Sequence, residues 1–136
     1  MTRFLPVIKT QFGFLAGTAS LALPFMGDDF RKEIGQALAE NKPKLQQLMT
    51  QNPYGVPILT GTWGGSFAVT GFGTEMYLLH KAFPESIGPQ YTLHALDYVL
   101  GRHPASNVSY VSGVGTRSKL IAYGTIARTI PSFLEE

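Results

Sequence analysis

The segment 97–115, Asp-Tyr-Val-Leu-Gly-Arg-His-Pro-Ala-Ser-Asn-Val-Ser-Tyr-Val-Ser-Gly-Val-Gly, constrains this chain more than any other, because it joins a helix end to a polar loop. Apolar residues at helical spacing run up to Leu100. Gly101 is the residue type that tolerates a left-handed conformation just past a helix, and Pro104 prevents the helix from resuming. A rigid element therefore stops here and a glycine-punctuated loop begins. The loop offers Arg102, His103, Ser106, Asn107, Ser109 and Tyr110, a set of donors and acceptors with little charge. Loops set on rigid scaffolds are where binding groups concentrate, and this set points to recognition of hydroxyls.

The rest of the chain reads as helices. In 12–25 an apolar run follows Arg3 and Lys9 and has the outline of a secretory signal. It is too short to span a bilayer, and Phe14, Leu15, Ala19, Ala22 and Leu23 share one helical face, so a core helix ending at Pro24 is the better expectation. Asp28 and Asp29 open a second helix, where carboxylates satisfy free backbone donors, and Phe30, Ile34, Ala37 and Leu38 form its apolar repeat. Pro43 is expected to break it at Asn41 or to begin a new turn, followed by a short apolar edge of Leu45, Leu48 and Met49.

Segment 51–65 has no period of either kind and is a long glycine- and proline-rich loop. Ser66 is placed to cap a third helix with a stripe of Phe67, Val69, Phe72, Met76, Leu79 and Phe83. Gly71 and Gly73 inside it imply close helix approach. Glu75 and His80 read as surface or rim residues. A fourth helix, 91–100, is expected to turn Leu93, Leu96, Val99 and Leu100 inward, with His94 and Asp97 close enough on its surface to pair. A last helical stretch is expected over 118–130.

Composition excludes several classes. The chain has 136 residues, enough for one domain, and its 11 basic against 9 acidic residues leave a net charge of +2, too little for a nucleic-acid footprint. No cysteine is present, so there is no disulfide framework and no thiolate metal site, and the compartment stays open. No metal set, cofactor motif or membrane span is visible. Segment 112–119 has a faint phosphate-loop look, but Ser118 and Leu120 stand where that pattern needs glycine and a hydroxyl.

Tyr54 and Trp63 in the long loop are the other notable residues. A sugar ring has apolar faces and a polar rim, so an aromatic surface beside neutral hydrogen-bonding groups is a fitting recognition device. Trp63 is equally able to serve as a large anchor that tucks the loop onto the helices.

Two blocks carry a family resemblance. Asp97-Tyr-Val-Leu-Gly-Arg-His-Pro104, with Asn107 to Tyr110 and Ser112-Gly-Val-Gly115, resembles the late helix-to-loop segment of the family 9 glycoside hydrolases, cellulases and related β-glucanases. Asn52-Pro-Tyr-Gly-Val-Pro57, Trp63-Gly-Gly-Ser66 and the stretch 72–84 are similar to that family's preceding loop and helix, in the same order. The resemblance is clear over 52–123 and faint over 14–48.

It implies an all-α chain of antiparallel helical hairpins, a C-terminal part of an (α/α)6 barrel, with residues 1–136 forming a single domain. It also implies secretion or a periplasmic location, and binding of β-1,4-glucan or its oligosaccharides by Tyr54, Trp63, His103, Asn107, Tyr110 and Arg117. Arg117 enters only through the resemblance. Inverting hydrolysis needs an acid and a base roughly 6.5–9.5 Å apart. Neither of the family's carboxylate motifs is reproduced here, so no catalytic residue is assigned, and no cofactor or metal. The rival expectation is a small helical interaction protein with no carbohydrate role.

Two geometric expectations follow. Helices 66–83 and 91–100 share a short connection and should run antiparallel, which sets loops 54–66 and 102–117 at one end and Trp63 near His103, Asn107 and Tyr110. A barrel segment is also apolar on more than one side, so a homo-oligomer built through 14–23 and 67–83 is expected.

Overall fold

The computed structural model describes residues 12–58, 65–102 and 107–118. Among them the chain is mainly helical: α1 (Phe12–Ser20), a 3-10 turn (Leu23–Phe25), α2 (Asp28–Gln51), α3 (Gly65–Ala82) and α4 (Gln90–Val99). Two short strands, β1 (Val108–Ser109) and β2 (Arg117–Ser118), pair in parallel with Val108 opposite Arg117. The helix expected over 118–130 and the signal-like residues 1–11 lie outside the described residues.

The α1 helix stops earlier than Pro24 implies; of the expected face Ala19 and, beyond the helix, Leu23 pack against the core, but the buried residues are Ala16, Gly17 and Ser20. The reason lies in α3. A methyl group added to Gly17 would stand 2.2 Å from the Glu75 carbonyl oxygen, so the two helices cross with backbones nearly touching. Small residues permit that approach, and the larger ones flank it. Glu75 fastens the crossing: its carboxylate accepts the Thr18 backbone N–H at 2.9 Å and the Thr18 hydroxyl. It is thus buried, not a rim residue as its sequence setting implied.

The α2 helix runs through Pro43 without a break. An interior proline costs about 3 kcal/mol. Beyond it, however, Leu45 is buried and half-buried Leu48 and Met49 pack on the core; full burial of a leucine contributes about 1.5–3 kcal/mol, and the two half-buried side chains add a part of that each. The apolar face continues on both sides of the proline, and burial outweighs the lost hydrogen bond. Two residues before the proline the Asn41 side chain donates to the Ala37 carbonyl at 2.8 Å.

The α3 and α4 helices pack along each other across the connection 83–89, which Ile87 anchors in the core and the His80 ring holds through a 2.7 Å hydrogen bond to the Ile87 carbonyl. His80 is therefore half-buried and committed. Gly73 marks the close approach, since a methyl there would meet Ala95 Cβ at 2.7 Å. Gly71 does not; it faces open space. The inward face of α4 is Tyr91 and Ala95, and Leu93 and Leu96 are 52% and 51% exposed, contrary to the leucine pattern. Phe67 is likewise exposed, and Ser66 lies inside α3 instead of capping it. Helix packing chose the small residue at the crossing and turned the leucines outward.

Candidate functional site

Beyond α4 the chain closes as its sequence directs. Gly101 has φ +78°, the Arg102 N–H donates to the Asp97 carbonyl at 2.8 Å, and the Gly101 N–H donates to the Tyr98 carbonyl at 3.4 Å. This is the six-to-one and five-to-two closure that satisfies the last free carbonyls of a helix. It also turns the chain back on itself: a methyl on Gly101 would lie 2.6 Å from the Ser109 nitrogen, so β1 passes directly over the helix end. The Tyr110 N–H then donates to the Val99 carbonyl at 2.9 Å.

Within the loop, buried Ser109 accepts the Val111 N–H at 3.0 Å, and the Ser118 hydroxyl accepts the Gly113 N–H at 3.1 Å. Gly113 and Gly115 both take positive φ. The β1–β2 pairing sets Arg117 opposite Val108, the neighbour of Asn107.

The turn 52–58 is built by different means and reaches the same helix end. Asn52 accepts the Tyr54 N–H at 3.0 Å and donates to the Val56 carbonyl at 2.9 Å, while Gly55 takes φ +62° and Val56 is fully buried. Gly55 lies over His94, whose buried Nδ1 has no hydrogen-bond partner among the described residues; a methyl there would stand 2.3 Å from that nitrogen. His94 accordingly faces the turn. Asp97, the partner its spacing offered, instead lies 3.7 Å from the Arg102 guanidinium at an exposed position.

The two loops meet on Tyr98. The Tyr54 ring makes a T-shaped contact with it at 5.4 Å, and the Tyr110 ring lies tilted by 33° at 5.5 Å. Tyr98 was not among the residues its sequence pointed to, though it sits at the start of the most constraining segment. Of the expected site residues, Tyr54 and Tyr110 are therefore brought together, and Asn107 and Arg117 are exposed on the same loop as Tyr110. Trp63 and His103, and with them their expected proximity, lie outside the described residues.

Burial raises the phenol of Tyr98 above the ordinary 10.0, reinforced by the charge of Tyr110, a hydrogen bond to it and the charge of Tyr54. Burial also raises Tyr91. Both folded values lie above the unfolded one, so their contribution to stability is complete below pH 10.0 and is lost as pH rises through the folded values. Urea unfolding followed from pH 8 upward should thus show a falling midpoint from about pH 10, and Tyr98→Phe should flatten that fall.

A groove of about 260 Å³ lies between α3 and α4 and includes Thr70, Thr74, Tyr77 and Leu96. Its threonine hydroxyls are turned to backbone carbonyls, Thr74 to Thr70 at 3.0 Å and Thr92 to Gly73 at 3.3 Å, so the wall presents methyl groups. Among the described residues there is no cluster of three metal-ligating side chains, and no helix is long and apolar enough to cross a membrane. Set against known protein families, curated proteins and solved structures, the chain finds no match.

Proposed function

We propose that this chain carries part of a β-1,4-glucan-binding cleft of the family 9 glycoside hydrolase type, in a segment of an (α/α)6 barrel that lacks the reaction centre. The observation that supports this reading most is the meeting of Tyr54 and Tyr110, one from each resemblance-bearing block, on Tyr98 at the end of α4. Tyr110 is 41% exposed and Asn107, three residues before it on the same loop, is also exposed, so the loop offers solvent both an aromatic ring and a neutral hydrogen-bonding group. The resemblance adds Trp63, His103 and Arg117 to the residues proposed to bind the sugar. Glu75 is spent on Thr18 and Asp97 lies beside Arg102, and this reading assigns neither a role as acid or base.

Cello-oligosaccharide titration followed by the fluorescence of Trp63, the only tryptophan, should show a saturable change with no release of reducing sugar. No fluorescence change and no heat of binding would refute the cleft. Turnover abolished by Glu75→Ala or Asp97→Ala would refute the missing reaction centre.

A second reading, a helical self-association module, is favoured by the methyl-lined groove and by exposed Phe25, Phe67, Leu93 and Leu96. It expects a dimer in light scattering across a wide concentration range; a constant monomer mass would remove it.

A further inference from the structure

We propose that Tyr98 is the positioning residue of this site, fixing the rings of Tyr54 and Tyr110 so that the turn 52–58 and the loop 107–118 respond as one unit. The proposal rests on reading Tyr110 as sugar-facing and adds which residue makes that ring a fixed surface.

The backbone of each loop is anchored without Tyr98. The turn is closed by Asn52 and buried Val56, and the loop by the Gly101 helix end, buried Ser109 and the Tyr110 N–H bond to Val99. The ring orientations are another matter. The Tyr54 and Tyr98 rings meet nearly perpendicular, at an interplanar angle of 78°, and Tyr110 lies against Tyr98 with a side-chain hydrogen bond between them. Tyr98 itself has little freedom, because it stands in the last turn of α4, whose N-terminal part is fixed by buried Tyr91 and Ala95. It is a rigid post between two rings carried on separate turns.

A ring that must be immobilised on binding loses affinity to rotamer ordering, and a pre-oriented one does not. Removing the post therefore costs affinity without touching ligand. The expected loss for Tyr98→Leu is about three- to tenfold in cello-oligosaccharide affinity. Tyr98→Phe keeps both ring contacts and loses only the hydroxyl, so it should recover most of that loss.

Two measurements on the full chain decide the matter. The first needs no sugar: phenol ionisation followed by ultraviolet absorbance. Wild type should show two late-ionising phenols, those of Tyr91 and Tyr98; Tyr98→Phe should remove one and leave that of Tyr91, and Tyr110→Phe should move one of the two earlier, because the Tyr98 hydroxyl has lost its partner. Two late phenols unchanged in Tyr110→Phe would overturn the coupling. The second is calorimetric titration with cellotetraose of wild type, Tyr98→Phe and Tyr98→Leu. Affinity falling in that order supports the positioning role, and equal affinity in all three overturns it. If wild type binds no oligosaccharide, the cleft reading fails, while the coupling of the rings still stands or falls on the ionisation result.

Discussion

Gly17→Ala should destabilise the protein by about 3 kcal/mol, although the same change in most helices stabilises it. In an open helix the alanine gains about 0.8–1.0 kcal/mol in propensity. Here its methyl would meet the Glu75 carbonyl oxygen, Cα and carbonyl carbon at 2.2, 2.7 and 2.8 Å. These are backbone atoms, which cannot rotate away, so α1 must move off α3. Overpacking of this kind costs about 1–3 kcal/mol. The displacement also weakens the two Thr18 bonds to a buried carboxylate, and hydrogen bonds to charged groups are worth about 1.5–3 kcal/mol each. Steric loss therefore exceeds propensity gain. Gly71→Ala, on the open side of α3, is the matched control and should be neutral or stabilising by up to about 1 kcal/mol. Urea melts of both variants check the pair. Equal effects would mean that α1 does not cross α3 at Gly17.

Gly101→Ala should cost about 3 kcal/mol and should also remove sugar binding. Two causes add. The left-handed φ of +78° costs an alanine about 1–2 kcal/mol, and its methyl would lie 2.6 Å from both the Ser109 nitrogen and the Val108 carbonyl carbon. Because β1 must lift, the Tyr110 N–H loses Val99 and its ring leaves Tyr98. Gly113→Ala separates the causes. Gly113 has a similar φ of +74° but open space around it, so only the strain of about 1–2 kcal/mol applies and binding should persist. Denaturant melts and oligosaccharide titration of the two variants give four numbers. The account requires a large difference in binding between them.

The features that could be read from the chain are those decided by neighbours in sequence. Gly101 ends α4 because a glycine follows an apolar helical pattern and a proline lies beyond it, and that logic is local. Ile34, Ala37 and Leu38 face inward for the same reason, since their spacing admits one buried stripe. The misread features depend on distant partners. Glu75 is buried because Thr18, 57 residues away, supplies its donors. The leucines of α4 point outward because Gly73 and Ala95 form the closest contact, and a pattern that counts leucines cannot know which small residue meets which.

Pro43 was a question of magnitude. A breaker costing about 3 kcal/mol loses to continued burial on its far side. In the site, glycine and asparagine signals marked both loops, yet the residue joining them, Tyr98, looked like ordinary helix. Its role appears only once two rings from opposite sides are placed against it.

The proposed cleft has a sugar ring engage the tyrosine cluster at the end of α4. Two-dimensional NMR of the chain with 13C-labelled tyrosine rings, titrated with cellotetraose, tests it most directly. The account predicts saturable shifts at Tyr110, with smaller accompanying shifts at Tyr98 and Tyr54, and an unmoved Tyr77 in the α3–α4 groove. Shifts at Tyr77 alone, or no tyrosine shift at millimolar sugar, would contradict it.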